Sequence, residues 1–169
     1  LSFIKSLPLK LPVDYKILVK DHPGMVGVTP KRFYRELNKI YNVHLVDTYL
    51  SSYECIKNSE AVIAISGTTG MQSWALGKKT IVLGKAVYFY VKTIFKPKNL
   101  NEISNILELN WSKNLIKKQK MDFIKYIDAI LNTPNLDDKN GIFWSQNSSN
   151  QNMLEIDMHL YKIFANHLK

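Results

Sequence analysis

The chain has 169 residues, enough to bury one sizeable core, and its composition of 46% hydrophobic and 22% charged residues is that of a globular domain. No apolar run reaches the length of a membrane span, and a single cysteine, Cys55, excludes an internal disulfide. The formal net charge of +9 raises a nucleic-acid reading, but the lysines are spread along the chain and the aromatic residues form no stacking module, so no nucleic-acid partner is expected.

The opening segment is rich in Leu and Pro, and Pro8 and Pro12 break it too early for a signal peptide. An apolar run predicts the first strand over residues 15–20, ending in Lys20-Asp21-His22-Pro23-Gly24. A lone His before Pro is more often an ordinary turn residue. Pro30 suits the first turn of a helix over 31–40, with Phe33, Leu37 and Ile40 turned inward. Lys31, Arg32 and Arg35 then form an exposed basic face; Arg32 is also a phosphate candidate, because guanidinium pairs bidentately with phosphate. A strand over 43–46 follows, then a helix from about Ser51, which can cap it with Glu54 three residues on. Cys55 reads as a buried position on that helix.

Residues 61–65, almost unbroken β-branched residues and alanine, predict a parallel strand covered on both faces, and residues 80–83 repeat the pattern. Between them lie Ser66, Gly67, Thr68, Thr69 and Gly70, then a helix predicted over 71–76. In open α/β sheets ligands sit beyond the carboxyl ends of the strands, where this loop falls. Gly67 and Gly70 allow a tight backbone, Thr68 and Thr69 can cap the helix, and the free amides at its start would face an anion. The spacing is neither the Walker nor the dinucleotide pattern, and a turn that merely starts a helix fits it equally well. The balance shifts if both loops share one edge of a parallel sheet. His22 then supplies a donor, or a positive charge when protonated, beside the amides of the second loop. Tyr88 and Tyr90 follow the fourth strand, where they would stack on a base or sugar or pack against the sheet.

Beyond Pro97, Asn99 to Glu102 reads as a cap for a helix over 103–109, and an amphipathic helix follows over 114–131. Lys113, Lys117, Lys118, Lys120 and Lys125 surround its apolar residues Ile116, Phe123, Ile124 and Ile127. A solvated face is the first reading of these lysines, and peripheral contact with an anionic inner membrane the second. A polar loop is expected over 133–152, with Asp137 and Asp138 in a solvated turn, and a terminal helix over 153–168 whose apolar face favours self-association. His22, His44, His159 and His167 are scattered, and no metal site is expected.

VKDHPGMVG at 19–27, KRFYREL at 31–37, NVHLVD at 42–47 and SGTTGMQSWALGKKTIVLGKAVY at 66–88 together resemble the C-terminal half of bacterial capsule polysaccharide biosynthesis proteins. Those are glycosyltransferases of the GT-B type, including enzymes related to the Kdo transferases of capsule assembly. The resemblance implies two Rossmann-like domains with the active cleft between them, the C-terminal one holding the sugar nucleotide. It places His22 near the donor phosphates and Ser66, Gly67, Thr68, Thr69 and Gly70 at the loop that receives a phosphate, with Lys20 and Lys78 as further candidates. The chain departs from the family at Gln72, where an acidic residue is common. A carboxylate accepts two ribose hydroxyls and an amide only one, so altered donor binding is expected.

The expected fold is thus α/β: a Rossmann-like parallel sheet with helices on both faces over 1–110, then a helical extension over 111–169. The expected function is donor binding for a glycosyltransferase of capsular or surface polysaccharide biosynthesis. The alternatives are a sugar-nucleotide epimerase of the same architecture and a non-catalytic binding or assembly module. The chain starts at Leu1 and, by the resemblance, lacks the acceptor domain with the catalytic base, so a fragment that binds without turnover is expected. The resemblance implies a CMP- or UDP-linked sugar as substrate, with no cofactor expected, and a glycan or glycolipid acceptor reached through the missing domain. The expected compartment is the cytoplasm, with a peripheral place at the inner membrane as the alternative.

Overall fold

The computed structural model describes residues 1–132. In chain order its elements are α1 (Ser2–Ser6), β1 (Ile17–Lys20), α2 (Lys31–Leu37), β2 (Val43–Val46), α3 (Ser52–Lys57), β3 (Ala61–Ala64), α4 (Thr68–Ala75), β4 (Lys79–Val82), α5 (Leu100–Glu108) and α6 (Lys113–Asn132). The polar loop and terminal helix expected beyond residue 132 lie outside the described residues. Two compact units form, one from Leu1–Ser59 with Pro97–Leu109, the other from Glu60–Lys96 with the described residues from Asn110.

In the first unit β1 and β2 run parallel, in register from Ile17 opposite Val43 to Lys20 opposite Val46, with α2 as the crossover. The strand begins two residues later than the apolar run suggests, because the Tyr15 N–H closes a turn on the Pro12 carbonyl at 3.0 Å. The Tyr15 carbonyl accepts Asn42 Nδ2 at 3.0 Å. Asn42 sits at a φ of 59°, the left-handed region that Asn tolerates better than most residues. The opening segment, expected only as a lead-in, forms α1 and a 3-10 turn over Leu7–Lys10. A five-residue helix without a side-chain cap carries no sequence signal. Lys5 at its end and Lys39 both bind Glu36, at 3.0 and 2.8 Å. Lys39 first and Lys5 second pull the Glu36 carboxyl down to about 2.

The caps of this unit form as the sequence indicates. Ser51 Oγ accepts the Glu54 N–H at 3.5 Å ahead of α3, and Asn99 Oδ1 accepts the Glu102 N–H at 3.0 Å ahead of α5. Each satisfies an amide that the first helical turn leaves open. Leu7, Leu37, Val43, Ile56, Ile103, Ile106 and Leu107 are buried. Cys55 is half-buried on α3 with a free thiol.

In the second unit β3 and β4 are parallel, from Ala61 opposite Lys79 to Ala64 opposite Val82, with α4 between them in the chain. Bonds from Leu83 N to Ala64 O and from Gly84 N to Ile65 O carry the ladder beyond the strand ends. Phe95 pairs with Ile81 on β4. The core gathers Trp74, Ala75, Val82, Tyr88, Ile94, Phe123 and Ile127, with α6 packed on α4. Trp74 lies edge-on to Phe123, ring centres 5.1 Å apart.

The turn from α4 to β4 is a Schellman motif: Gly77 N donates to Trp74 O at 3.0 Å and Lys78 N to Ser73 O at 3.1 Å, with Gly77 at a φ of 74°. The Trp111 indole N–H donates to the Gly77 carbonyl at 2.8 Å, and Gln119 Nε2 to the Lys78 carbonyl at 2.9 Å. Trp111 and α6 thereby satisfy two carbonyls that the turn turns outward. Ser73 and Thr80 hydroxyls, both buried, bond each other at 2.9 Å beneath it.

Each unit is built on one parallel strand–helix–strand crossover, so the fold class is mixed α/β of the Rossmann-like kind. Among the described residues the four strands pair as two ladders, β1 with β2 and β3 with β4, and not as the single doubly wound sheet expected. A crossover brings together only its own two strands; joining two ladders takes a further strand-to-strand edge. No helix among the described residues is long and apolar enough to cross a membrane.

Candidate functional site

The His22 loop starts at the carboxyl end of β1. Lys20 Nζ reaches the Thr48 carbonyl at 2.8 Å, tying the end of β1 to the segment after β2. His22 precedes a 3-10 turn over Pro23–Met25, which it caps: Nδ1 accepts the Gly24 N–H at 3.0 Å. A neutral imidazole with Nδ1 accepting carries its proton on Nε2. His22 is exposed, so its free nitrogen is a donor available to a ligand. A Cβ at Gly24 would stand 3.1 Å from Nδ1, a tight contact with the ring.

Asp21 organises this loop, and the sequence reading missed it. Its Oδ1 accepts the His22 N–H at 2.9 Å, and its Oδ2 accepts the Thr29 hydroxyl at 3.0 Å and the Tyr34 hydroxyl at 2.5 Å. The Tyr34 bond is the main cause holding the Asp21 carboxyl below its usual range, against partial burial, which pushes it up. The Asp21 carboxylate in turn raises the Tyr34 phenol. The available signal was Asp before His-Pro with hydroxyl residues 8 and 13 positions on, a spacing without a helical or strand period. Arg32 and Arg35 are exposed on α2.

The second loop leaves the carboxyl end of β3. Ser66, Gly67, Thr68 and Thr69 are exposed, and Gly70 is buried. Gly67, at φ 92° and ψ −175°, is the N-cap of α4, which begins at Thr68, three residues earlier than predicted. Thr68 and Thr69, expected as caps, are the first two helical residues, and no side chain caps the helix. Only glycine adopts the Gly67 conformation readily, which fixes it as the entry point. The first-turn amides of α4 thus keep the donor capacity that a side-chain cap would occupy.

Tyr88 sets the direction of this loop. Its hydroxyl donates to the Gly67 carbonyl at 2.5 Å, and its ring is buried against Trp74. In a trans peptide the carbonyl and the following N–H point opposite ways, so holding the Gly67 carbonyl on Tyr88 turns the Thr68 amide away from it. Burial pushes the Tyr88 phenol up, opposed by the Met71 N–H. A Cβ at Gly70 would collide with the Tyr88 hydroxyl, so this second glycine makes room for the ring. At 1% exposure Tyr88 has no face left for stacking on a base or sugar; it shapes the loop from beneath.

Gln72 is half-buried, one turn along α4 from Thr68 and on the same helix face. Lys78 lies in the Gly77–Lys78 turn, as the sequence indicates. It follows the far end of α4, at the amino-terminal edge of β4, about 12 Å of helix from the 66–70 loop. Parallel pairing puts the amino end of β4 opposite the start of β3, so a residue there does not serve a loop at the end of β3.

A family model described as capsule polysaccharide biosynthesis protein matches residues 2–94, more than half of the chain, and spans both loops and both crossovers. Searches of curated proteins and of solved structures return no match. The chain therefore belongs to the capsule polysaccharide biosynthesis protein family, and its role lies in capsule synthesis.

Proposed function

We propose that the chain is the donor-binding part of a GT-B-type glycosyltransferase, holding a CMP- or UDP-linked sugar for transfer to a capsular glycan or glycolipid. The observation that carries this reading is the start of α4, led by Gly67, exposed from Ser66 to Thr69 and free of any side-chain cap. Such a helix start favours the negative charge of a diphosphate, or of the phosphate in a CMP-sugar, as it builds up on the leaving group. In the first unit the His22 loop separately offers an exposed imidazole donor, which His22→Ala tests. Gln72, where the family's acidic residue is common, offers the ribose one acceptor and one donor group.

Thermal shift with CMP, UDP, GDP and their sugar conjugates tests the reading on the full chain and on His22→Ala. A matching nucleotide at 100 times its Kd stabilises the folded state by about 2.7 kcal/mol. We expect one base to stand out and His22→Ala to reduce its shift. No stabilisation by any of them sinks the donor-binding reading, and a shift unchanged in His22→Ala removes that residue from the site.

A further inference from the structure

The donor-binding reading uses His22 and leaves unexplained the carboxylate beside it. Asp21 is negative, and a negative charge one residue from a phosphate ligand opposes binding. Its three hydrogen bonds reach the His22 backbone, Thr29 near the end of the loop, and Tyr34 on α2. One side chain therefore joins both ends of the loop to a helix. The loop between includes Gly24 and Gly27, the latter at a φ of 82°, and has much chain entropy to lose on ordering.

We propose that Asp21 is a positioning residue for His22: it closes the 22–30 loop so that His22 keeps Nδ1 on the Gly24 amide and offers Nε2–H to a phosphate of the sugar nucleotide. The ligand in this statement rests on the donor-binding reading; the loop geometry does not. Charge and position make opposite demands at this residue. Asp21→Asn removes the repulsion and would strengthen phosphate binding if charge governed. It also replaces one acceptor oxygen by an NH2 facing hydroxyl groups, which weakens binding if position governs.

The test uses the full chain as wild type, Asp21→Asn, Tyr34→Phe, Thr29→Val and the hydroxyl-preserving Thr29→Ser. Hydrogen exchange of the Gly24 amide is followed by NMR, with the amides of the β1–β2 ladder as the control for global opening, and Kd is measured for CMP and UDP. We expect Asp21→Asn, Tyr34→Phe and Thr29→Val to speed Gly24 exchange about tenfold and weaken nucleotide binding about tenfold, the scale of one lost hydrogen bond to a charged group. The ladder amides stay as in wild type, and Thr29→Ser matches wild type in both measurements. Tighter binding by Asp21→Asn overturns the proposal, as does unchanged Gly24 exchange, or quicker exchange with unchanged affinity. Wild type that binds neither CMP nor UDP counts against the donor-binding reading, while Gly24 exchange still decides whether Asp21 holds the loop.

Discussion

Asp21 shows how one side chain decides the state of a loop. Its carboxyl is held below the usual range chiefly by the Tyr34 hydroxyl, so its folded-state value lies below its unfolded one. The stabilisation is therefore complete above the ordinary carboxylate range and is lost as pH falls through the lowered value. Tyr34→Phe removes the largest cause, so the Asp21 titration should move up in pH and the loop should open in less acidic solution. An NMR titration of the Asp21 carboxyl in both proteins checks this; coincident midpoints would count against the Tyr34 bond. Tyr88 and Gly70 illustrate the same dependence in a buried setting. The Tyr88 hydroxyl is fixed to Gly67, and its ring needs the space that only a glycine leaves at position 70. Glycine at 67 and at 70 is plain in the sequence, but the reasons differ: the first supplies a backbone angle, the second room for a side chain 18 positions later. Contacts at such separation follow no local pattern, which is why the sequence leaves Tyr88 open between stacking on a ligand and packing against the sheet.

Among the elements, α4 is set by glycine at both ends, and its start lies three residues before the boundary read from sequence. Its start is set by the left-handed Gly67 and its end by the Schellman turn at Gly77. Gly77 combines a positive φ with a Cβ position that would press on Ile116 of α6. Gly77→Ala should thus lower stability by about 1–3 kcal/mol, through backbone strain and overpacking together. Urea unfolding of the two proteins measures it, and equal midpoints would show that the turn yields without cost. The caps at Ser51 and Asn99 were legible because each acts within three residues of itself. The helix α1 was not, since it has no side-chain cap and its clearest polar contact, Lys5 with Glu36, spans 31 residues.

For the whole molecule the formal net charge of +9 is the dominant electrostatic fact. Ion pairs join Glu36 to Lys5 and Lys39, and Glu60 to Lys79, and the Lys113, Lys117, Lys118 and Lys125 side chains stand exposed on α6. Excess like charge disfavours the compact state, and salt shortens its reach to about 10 Å at 0.1 M. Raising NaCl from low to physiological strength should increase Tm by a few degrees in differential scanning calorimetry. A fall would mean that the ion pairs outweigh the repulsion. The sequence by itself determined the α/β class, the order of strands and helices from β1 to α6, and the two loops that carry His22 and Gly67. These follow from apolar periodicity, glycine and proline positions and capping residues, all of which act over a few residues. Tertiary structure alone decided that the strands pair as two ladders, that Asp21 gathers Thr29 and Tyr34, and that Tyr88 aims the Gly67 loop. Each depends on which distant groups meet once the chain is folded, and packing, unlike periodicity, leaves no repeat along the sequence.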